Sequence, residues 1–489
     1  MRAADAWAMD QADVPSVDLM ERAGIGLARL TAAVAGPGPV RVVVGKGNNG
    51  GDGLVAGRLL REDGYEVDVL AVAPVDELRG DARVNLERLP GAAPESFDPV
   101  RLEGSGAIVD ALLGTGFEGV PREPIASAIT SINAAGSPVV ACDIPSGVNA
   151  NSGEVEGQAV RAAATATFHA PKVGLYVMPG KECAGEVESV EIGIPRGAPG
   201  AKRAGLIAEA VIDLYPRRGS SGSKFSSGVV VVVGGSMGLT GAPTMAARSA
   251  ARAGAGYVQV AVPDSVQPAV DLRLLEQMSR GLPDAHGFHT LEGVAVVEEM
   301  ARRAGAVVLG PGLGRDEGAA EFARGVARTV GAPLLVDADG LNAHSGRLEL
   351  VAGREAPTVL TPHEAELGRL LEIGSDEVKA HRLACAREAA ERSGAVVLLK
   401  GDDTIVAPPA GEVAVSPGGS PALATAGTGD VLSGLIGALL AKGLGDFEAA
   451  CLGTMAHVLA GKAAAEGVGV DHVMAGDVID ALPSGLTLR

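Results

Sequence analysis

The sequence ATAGTGDVLSGLIGALL at residues 424–440 is a glycine-rich loop that runs directly into an apolar segment. Gly427 and Gly429 have no Cβ, so the backbone N–H groups around them can point toward one spot. The apolar segment predicts a buried helix that starts there, and the N-terminus of a helix, with its unpaired N–H donors and partial positive charge, suits a phosphate group. Asp430 would lie beside that anion as a general base for a hydroxyl attacking phosphorus. The alternative is an Asp N-cap on an ordinary core helix.

Length and charge limit the class of protein. A chain of 489 residues predicts two or three domains. Its 60 acidic and 41 basic residues give a formal net charge of −19, which argues against nucleic acid or an anionic membrane as a partner. Four scattered cysteines without CxxC spacing predict free thiols, and neither a signal peptide nor a membrane span is predicted. We expect a cytoplasmic homo-oligomer.

The first half opens its α/β pattern with the strand at residues 40–44, followed by the loop GKGNNGGDG at 45–53 and a helix from Leu54 to Arg61. Three glycines of the loop, with the acidic Asp68 about 20 residues on, fit a dinucleotide-binding fingerprint, so a nicotinamide-dependent dehydrogenase is one hypothesis. The polar run from Asn48 to Asp52 instead favours hydrogen bonds to ligand hydroxyls or a hard cation. A plain Asn/Asp/Gly turn would explain the residue types as well.

Two further strands carry polar residues where they end. Asp110 lies in AIVDALLGTG at residues 107–116, and Asp143 and Ser146 follow the strand at 138–142. The carboxyl ends of parallel strands build the ligand site in a doubly wound sheet. Asp52 follows the end of a third strand, at residues 40–44, which strengthens the prediction of one site there.

The motifs GKGNNGGDGLVAGRLL, VDALLGTG and DIPSGVNANSG, within residues 1–215, resemble the N-terminal domain of the NAD(P)H-hydrate epimerases. The resemblance implies a Rossmann-like three-layer α/β/α domain that interconverts the R and S hydrates of NADH and NADPH (NADHX and NADPHX). For the catalytic step, Asp143 and a ring-opening route stay open. The implied K⁺ ligands are Asn49, Asp110 and Ser146. The implied hydrate contacts are Asn48, Asn49, Gly50, Gly51, Asp52, Gly114, Thr115, Gly116, Phe117, Glu118, Gly119, Val120 and Asp143.

A polar, Gly/Ser-rich stretch at residues 216–224 predicts the boundary of a second domain, residues 216–489. Strands there lead repeatedly into glycine- or aspartate-rich loops, which predicts a mostly parallel sheet with a site along one edge. His363 could be a hydrogen bonder at a helix start, and Lys400 a charge at a strand end. With Asp430 in the same domain, we expect both to line a ligand site.

The motifs VVVGGSMGLTGAP, GPGLG, TPHEAEL, LKGDDTIV and ATAGTGDVLSG resemble the ribokinase-like NAD(P)H-hydrate dehydratases. The resemblance implies that a phosphoryl donor converts the hydroxyl of the S hydrate into phosphate, which then leaves. It implies Mg²⁺ with the donor, which is ADP or ATP, and bacterial relatives favour ADP. The implied hydrate contacts are Ala242, Gly312, His363 and Asp430. The implied donor contacts are Lys400, Gly401, Asp402, Asp403, Thr404, Ala426, Gly427, Thr428 and Gly429.

Two sequence features differ from the usual dehydratase pattern. Glu364 and Ala365 stand where relatives carry Pro-Gly, and residues 418–423 replace an NGNPGM-like lead. The alternative function is a ribokinase-type small-molecule kinase fused to a non-catalytic nucleotide-binding module, because the GTGD motif is shared across that superfamily.

Overall fold

The computed structural model describes residues 2–195, 197–198, 204–219 and 223–487, and the chain forms two compact units, Met1–Lys202 and Arg203–Arg489. The division comes earlier than the boundary expected after residue 215. The reason is that Ala204–Leu206 forms a parallel strand beside Val413–Val415 in the sheet of the second unit. The stretch at 216–224 therefore lies inside the second unit, and its residues 220–222 fall outside the described part of the chain.

The first unit has a parallel sheet of seven strands in the order β3-β2-β1-β4-β5-β6-β7. Apolar cores on both faces of the sheet make the predicted three layers. The strands are β1 (Val40–Val44), β2 (Val67–Ala71), β3 (Glu95–Ser96), β4 (Ala107–Ala111), β5 (Val139–Cys142), β6 (Ala164–Phe168) and β7 (Glu186–Val190). The helices are α1 (Arg2–Gln11), α2 (Ser16–Val34), α3 (Asn48–Glu62), α4 (Gly80–Glu87), α5 (Ile125–Ala134) and α6 (Gly180–Ala184).

The first unit thus reverses its winding between β1 and β4, which is where ligands bind in such sheets. The expectation that a helix begins at Leu54 is wrong, because α3 already begins at Asn48. Glycine is needed in this first turn, since a Cβ on Gly50 would lie 2.0 Å from the carbonyl oxygen of Gly45.

The second unit has a sheet of ten strands in the order β11-β10-β9-β14-β15-β16-β17-β18-β19-β8, parallel except for the pairs β17–β18 and β18–β19. The strands are β8 (Ala204–Leu206), β9 (Val229–Val233), β10 (Tyr257–Pro263), β11 (Met278–Leu282), β14 (Ala306–Leu309), β15 (Leu334–Val336), β16 (Thr358–Leu360), β17 (Val396–Leu399), β18 (Ile405–Ala407) and β19 (Val413–Val415), with a separate antiparallel pair β12 (Asp284–Ala285) and β13 (Phe288–His289).

Helices cover this sheet, and the apolar run after Asp430 is one of them, largely buried in the main core of the unit. They are α7 (Gly241–Arg252), α8 (Gln267–Asp271), α9 (Val294–Ala301), α10 (Glu317–Thr329), α11 (Asp339–Asn342), α12 (Glu364–Leu371), α13 (Ser375–Ala380), α14 (Arg382–Ser393), α15 (Thr428–Ala441), α16 (Asp446–Val468) and α17 (Ala475–Gly485). Across the described residues, none of the helices combines the length and the apolar character that crossing a membrane requires.

Candidate functional sites

A cleft of about 730 Å³ opens in the first unit, where β1 and β4 end. Its apolar walls include Leu19, Met20 and Phe168. The predicted contact residues that line it are Asn48, Asn49, Asp52, Gly114, Thr115, Gly116, Phe117, Glu118 and Asp143. Nine of the thirteen predicted contacts therefore line one cleft.

Four residues expected to contact the hydrate lie outside this cleft. Gly50 packs on Gly45, and Gly51 packs on Met20. At both positions the lack of a side chain lets neighbouring segments of the fold pack closely. Gly119 and Val120 follow the loop beyond the cleft, and the Val120 side chain is exposed. The structure gives these four residues no place in the cleft wall.

The three residues predicted to hold K⁺ meet around the backbone of Leu113. The Asn49 amide Nδ2 donates to the carbonyl oxygens of Leu113 (2.8 Å) and Cys142 (2.7 Å). The Ser146 hydroxyl donates to Asp110 Oδ1 at 2.6 Å and accepts from the Leu113 N–H at 2.9 Å. One hydrogen-bonded cluster therefore ties together the ends of β4 and β5 and the first turn of α3.

The carboxyl group of Asp110 is fully buried. Burial raises its pKa to about 6, although hydrogen bonds from Ser146 and Leu112 pull the pKa down. Within the described residues, no cationic side chain forms an ion pair with Asp110. A monovalent cation with oxygen ligands would balance this charge, so the cluster fits such an ion.

Asp143 has a backbone φ of 66°, which is uncommon for a residue with a side chain. Its Oδ1 accepts from the Lys172 Nζ at 2.5 Å and from the Phe168 N–H at 3.1 Å. The Lys172 side chain is almost wholly buried and also donates to the Phe168 carbonyl oxygen. Lys172, to which the sequence assigned no role, is thus the ion-pair partner of Asp143 at the edge of the cleft.

Asp430 lies in the first turn of α15, after Gly427, whose φ of 92° is the left-handed conformation. Burial, together with the nearby Asp337 and Asp339, raises the pKa of the Asp430 carboxyl to about 7, against the opposing effect of Lys400. A carboxylate with a pKa near 7 is a good proton acceptor at physiological pH. The helix prediction and the general-base interpretation both fit this geometry.

Lys400 lies in the centre of a charged network. Its Nζ is 2.9 Å from Asp337 Oδ1 and 3.6 Å from Glu366 Oε2. Burial lowers the pKa of Lys400, but these two carboxylates outweigh burial and the net shift is upward. Ser433 donates to Asp337 Oδ2 at 2.6 Å. Sequence reasoning missed Asp337 and Glu366, although Asp337 follows β15 as Asp143 follows β5.

A second cleft, of about 460 Å³, lies between Lys400 and α16. Six of the nine predicted donor contacts line it, namely Lys400, Gly401, Asp402, Thr404, Thr428 and Gly429. The implied contact through Asp403 is not supported, because this buried side chain accepts from Arg382 Nε at 2.8 Å. Ala426 and Gly427 also lie outside the cleft wall, and Gly427 packs against Met245.

The structure brings Ala242 and Gly312 together. Gly312 has a φ of 66°, and a Cβ there would lie 3.1 Å from the Ala242 Cβ and 2.5 Å from the Leu239 carbonyl oxygen. His363 is the N-cap of α12. Its side-chain Nδ1 accepts from the Ala365 N–H at 3.1 Å, and its backbone N–H donates to the Glu366 carboxylate. The imidazole is half-exposed, and its Nε2 lies 3.5 Å from Glu366 Oε1. The other oxygen of Glu366 lies 3.6 Å from Lys400 Nζ, so Glu366 stands between His363 and Lys400.

Comparison with known proteins agrees with this two-unit organisation. The family model described as NAD(P)H-hydrate dehydratase matches residues 230–484, and that described as YjeF-related protein N-terminus matches residues 16–174. The chain is 42% identical to the bifunctional NAD(P)H-hydrate repair enzyme Nnr of Salinibacter ruber, over 99% of this chain and 94% of that protein. It is 39% identical to the enzyme of the same name from Moorella thermoacetica, over 98% and 94%.

Among solved structures, the ADP/ATP-dependent NAD(P)H-hydrate dehydratase of Bacillus subtilis, co-crystallised with ATP and Mg²⁺, is similar. The TM-score is 0.51 at 26% identity, over 58% of this chain and 98% of that one. The similarity fits a ribokinase-like second unit. From both family models and from relatives that cover nearly its whole length, we conclude that this chain belongs to the bifunctional NAD(P)H-hydrate repair enzymes.

Proposed function

We propose that this chain repairs hydrated NADH and NADPH, with the first unit interconverting the R and S hydrates and the second dehydrating the S hydrate at the expense of ADP or ATP. The names of the relatives support two activities in NAD(P)H-hydrate repair, and the family model described as NAD(P)H-hydrate dehydratase, which matches residues 230–484, supports dehydration by the second unit. The observation that carries it is the position of Asp430, a base with a pKa of about 7 at the start of α15, beside Lys400 and the second cleft.

In the second unit, Asp430 accepts the proton of the hydroxyl on the hydrated ring. The freed oxygen attacks the terminal phosphorus of the donor, whose bond to the rest of the nucleotide breaks. The lone pair of the ring nitrogen then expels phosphate, and loss of a proton from the next ring carbon restores the double bond. Lys400 and the N–H groups that begin α15 offset the negative charge of the transferred group.

Mg²⁺ bound with the donor would supply further neutralisation of charge. Among the described residues, no three His, Cys, Asp or Glu side chains form a metal cage. Donor phosphates and water would therefore supply most ligands of this ion, which is the usual arrangement for Mg²⁺ at nucleotide sites.

In the first unit, we place K⁺ at the cluster of Asn49, Asp110 and Ser146, supported by the buried charge of Asp110 that no described cation balances. Asp143 lines the cleft, and Lys172 holds its carboxyl group in an ion pair. That pair would orient the hydrated ring or exchange a proton with it. A cytoplasmic location, which the four free cysteines favour, and a homo-oligomeric state complete the proposal.

The test uses the full-length chain with a mixture of R and S hydrates of NADH. With ADP or ATP present, we expect the absorbance of the reduced ring to return, with one phosphate released for each NADH formed. The rival function, a small-molecule kinase, predicts a stable phosphorylated product without return of absorbance. Failure of both donors to restore absorbance refutes the dehydratase proposal.

A further inference from the structure

A third cleft, of about 350 Å³, lies in the second unit beside Asp339, and four arginines line it: Arg315, Arg324, Arg347 and Arg369. Two acidic side chains, Glu317 and Asp339, are also in its wall. Four positive charges against two negative ones make this cleft locally basic in a chain whose net charge is −19. A basic recess in an acidic protein attracts a small anion by its local field.

In this cleft, which we call the arginine cleft, Arg324 donates to the Ala343 carbonyl oxygen and to Glu317, and the other three guanidinium groups keep free donors. Arg347 is exposed, and no hydrogen bond from its side chain to a described residue is found. Arg369 uses one donor, its Nε, on Asn342 Oδ1 at 2.9 Å. Arg315 is 3.8 Å from Asp339 and 76% exposed. Because each guanidinium has five N–H donors and its planar fork matches phosphate oxygens, this wall suits a phosphate group.

The arginine cleft lies next to the proposed hydrate site, to which Asp339 and Gly314 connect it. Asp339 lines the cleft, accepts from the Gly314 N–H at 2.9 Å, and is close enough to Asp430 to raise its pKa. Gly314 also lines the cleft and lies two residues from Gly312. In contrast, the cleft at Lys400 shares no lining residue with it. The two clefts therefore approach the region of Asp430 through different walls.

We propose that the arginine cleft binds the phosphate groups of the hydrated dinucleotide that lie away from the reacting ring, while the cleft at Lys400 takes the donor. This inference rests on the proposed dehydratase function of the second unit. The phosphate in question is the pyrophosphate, which NADHX and NADPHX share, or the 2′-phosphate, which NADPHX alone carries. Binding energy gained at such a remote group lowers KM and leaves the chemical step unchanged.

The test compares Arg347→Gln and Arg369→Gln with Arg302→Gln, a control that removes the same charge from an exposed position outside the cleft. KM and kcat are measured for the hydrates of NADH and NADPH, and KM for ADP. Binding of intact NADH and NADPH is measured by the fluorescence of the reduced ring, which needs no turnover. Thermal unfolding of each variant confirms that it is folded.

We expect each cleft variant to raise KM for NADPHX about 5- to 10-fold and to weaken NADPH binding equally, as loss of a charge-assisted hydrogen bond does. The kcat values and KM for ADP should stay within about twofold, and Arg302→Gln should change nothing. Equal effects on NADHX identify the pyrophosphate, and an effect on NADPHX alone identifies the 2′-phosphate. Raised salt should weaken binding to the wild type more than to the variants.

Cleft variants that match Arg302→Gln in every measurement overturn the inference, and so does an effect confined to KM for ADP. The proposed function fails separately. A wild-type chain that binds NADPH through the arginine cleft but restores no absorbance from its hydrate would refute dehydration alone.

Discussion

The replacement Asp430→Asn should abolish dehydration and, at neutral or higher pH, make the second unit more stable. The carboxyl pKa is raised from 3.8 to about 7 in the folded chain, mainly by burial, so the folded state resists ionisation of this group. A pKa difference of this size corresponds to about 4 kcal/mol at full ionisation. Partial exposure to solvent reduces that figure. We therefore expect the uncharged Asn to raise the free energy of unfolding by about 1–2 kcal/mol.

The sign of the effect depends on pH. Below pH 3.8 Asp430 is protonated in both the folded and the unfolded chain, so its raised pKa costs the wild type no stability. As the pH rises from 3.8 to about 7, the unfolded chain releases this proton while the folded chain keeps it, so the wild type becomes progressively less stable, and the loss levels off above about 7. The gain from Asp430→Asn should therefore be small at pH 4 and reach its full size near pH 8, as a rise of ~2–4 °C in Tm.

The activity of the same variant gives the second half of the test. Loss of a positioned base lowers kcat by about 10²–10⁴, measured by the return of absorbance from S-hydrated NADH with ADP. In the wild type, kcat should fall as the pH drops below about 7, because Asp430 becomes protonated. Interconversion of R and S hydrates, followed by proton NMR, is the internal control and should be unchanged. A variant that is destabilised at pH 8, or that retains dehydration, would refute the reasoning.

Three further predictions concern buried charges. Lys172→Met removes the ion-pair partner of Asp143, so the first unit should lose about 3–5 kcal/mol of stability, measured by calorimetry. Dehydration of the S hydrate by the second unit should continue. An unchanged melting profile would contradict a stabilising role for this buried ion pair. Asp110→Asn keeps the shape of the K⁺ cluster but removes its charge, so KCl should raise the Tm of the wild type more than that of the variant, with NaCl as the control salt. Asp403→Asn breaks the pair with Arg382, which keeps its second ion pair, with Glu364, so stability should fall by only ~1–3 kcal/mol and KM for ADP should not change, whereas a raised KM would support the role implied by resemblance.

The parts of the fold that the sequence predicted well are those in which local pattern and tertiary packing agree. The valine-rich strands β1 and β9 and the apolar helix α15 are buried as expected, because such runs have no other favourable place. The start of α3 was missed because Asn and Gly are poor helix formers in isolation. There the need for close packing, with Gly50 against Gly45, outweighs local propensity.

The candidate sites divide in the same way. Asp110, Asp143 and Asp430 could be found because each follows or ends a recognisable strand or begins a helix. Their surroundings could not be predicted, because the partners come from segments distant in sequence: Lys172 pairs with Asp143, and Asp337 and Glu366 lie beside Lys400. For Asp403 the motif predicted a donor contact but could not reveal that the side chain accepts a hydrogen bond from Arg382.

The short strand β8 has a practical consequence for anyone who wishes to study the halves separately. A dehydratase fragment that starts at residue 216 would lack this strand and leave the outer edge of β19 with unpaired N–H and C=O groups, which invites aggregation. The matching epimerase fragment, residues 1–215, would keep the β8 segment but lack β19, the strand with which β8 pairs. Cutting upstream of Ala204 keeps both products intact at their borders.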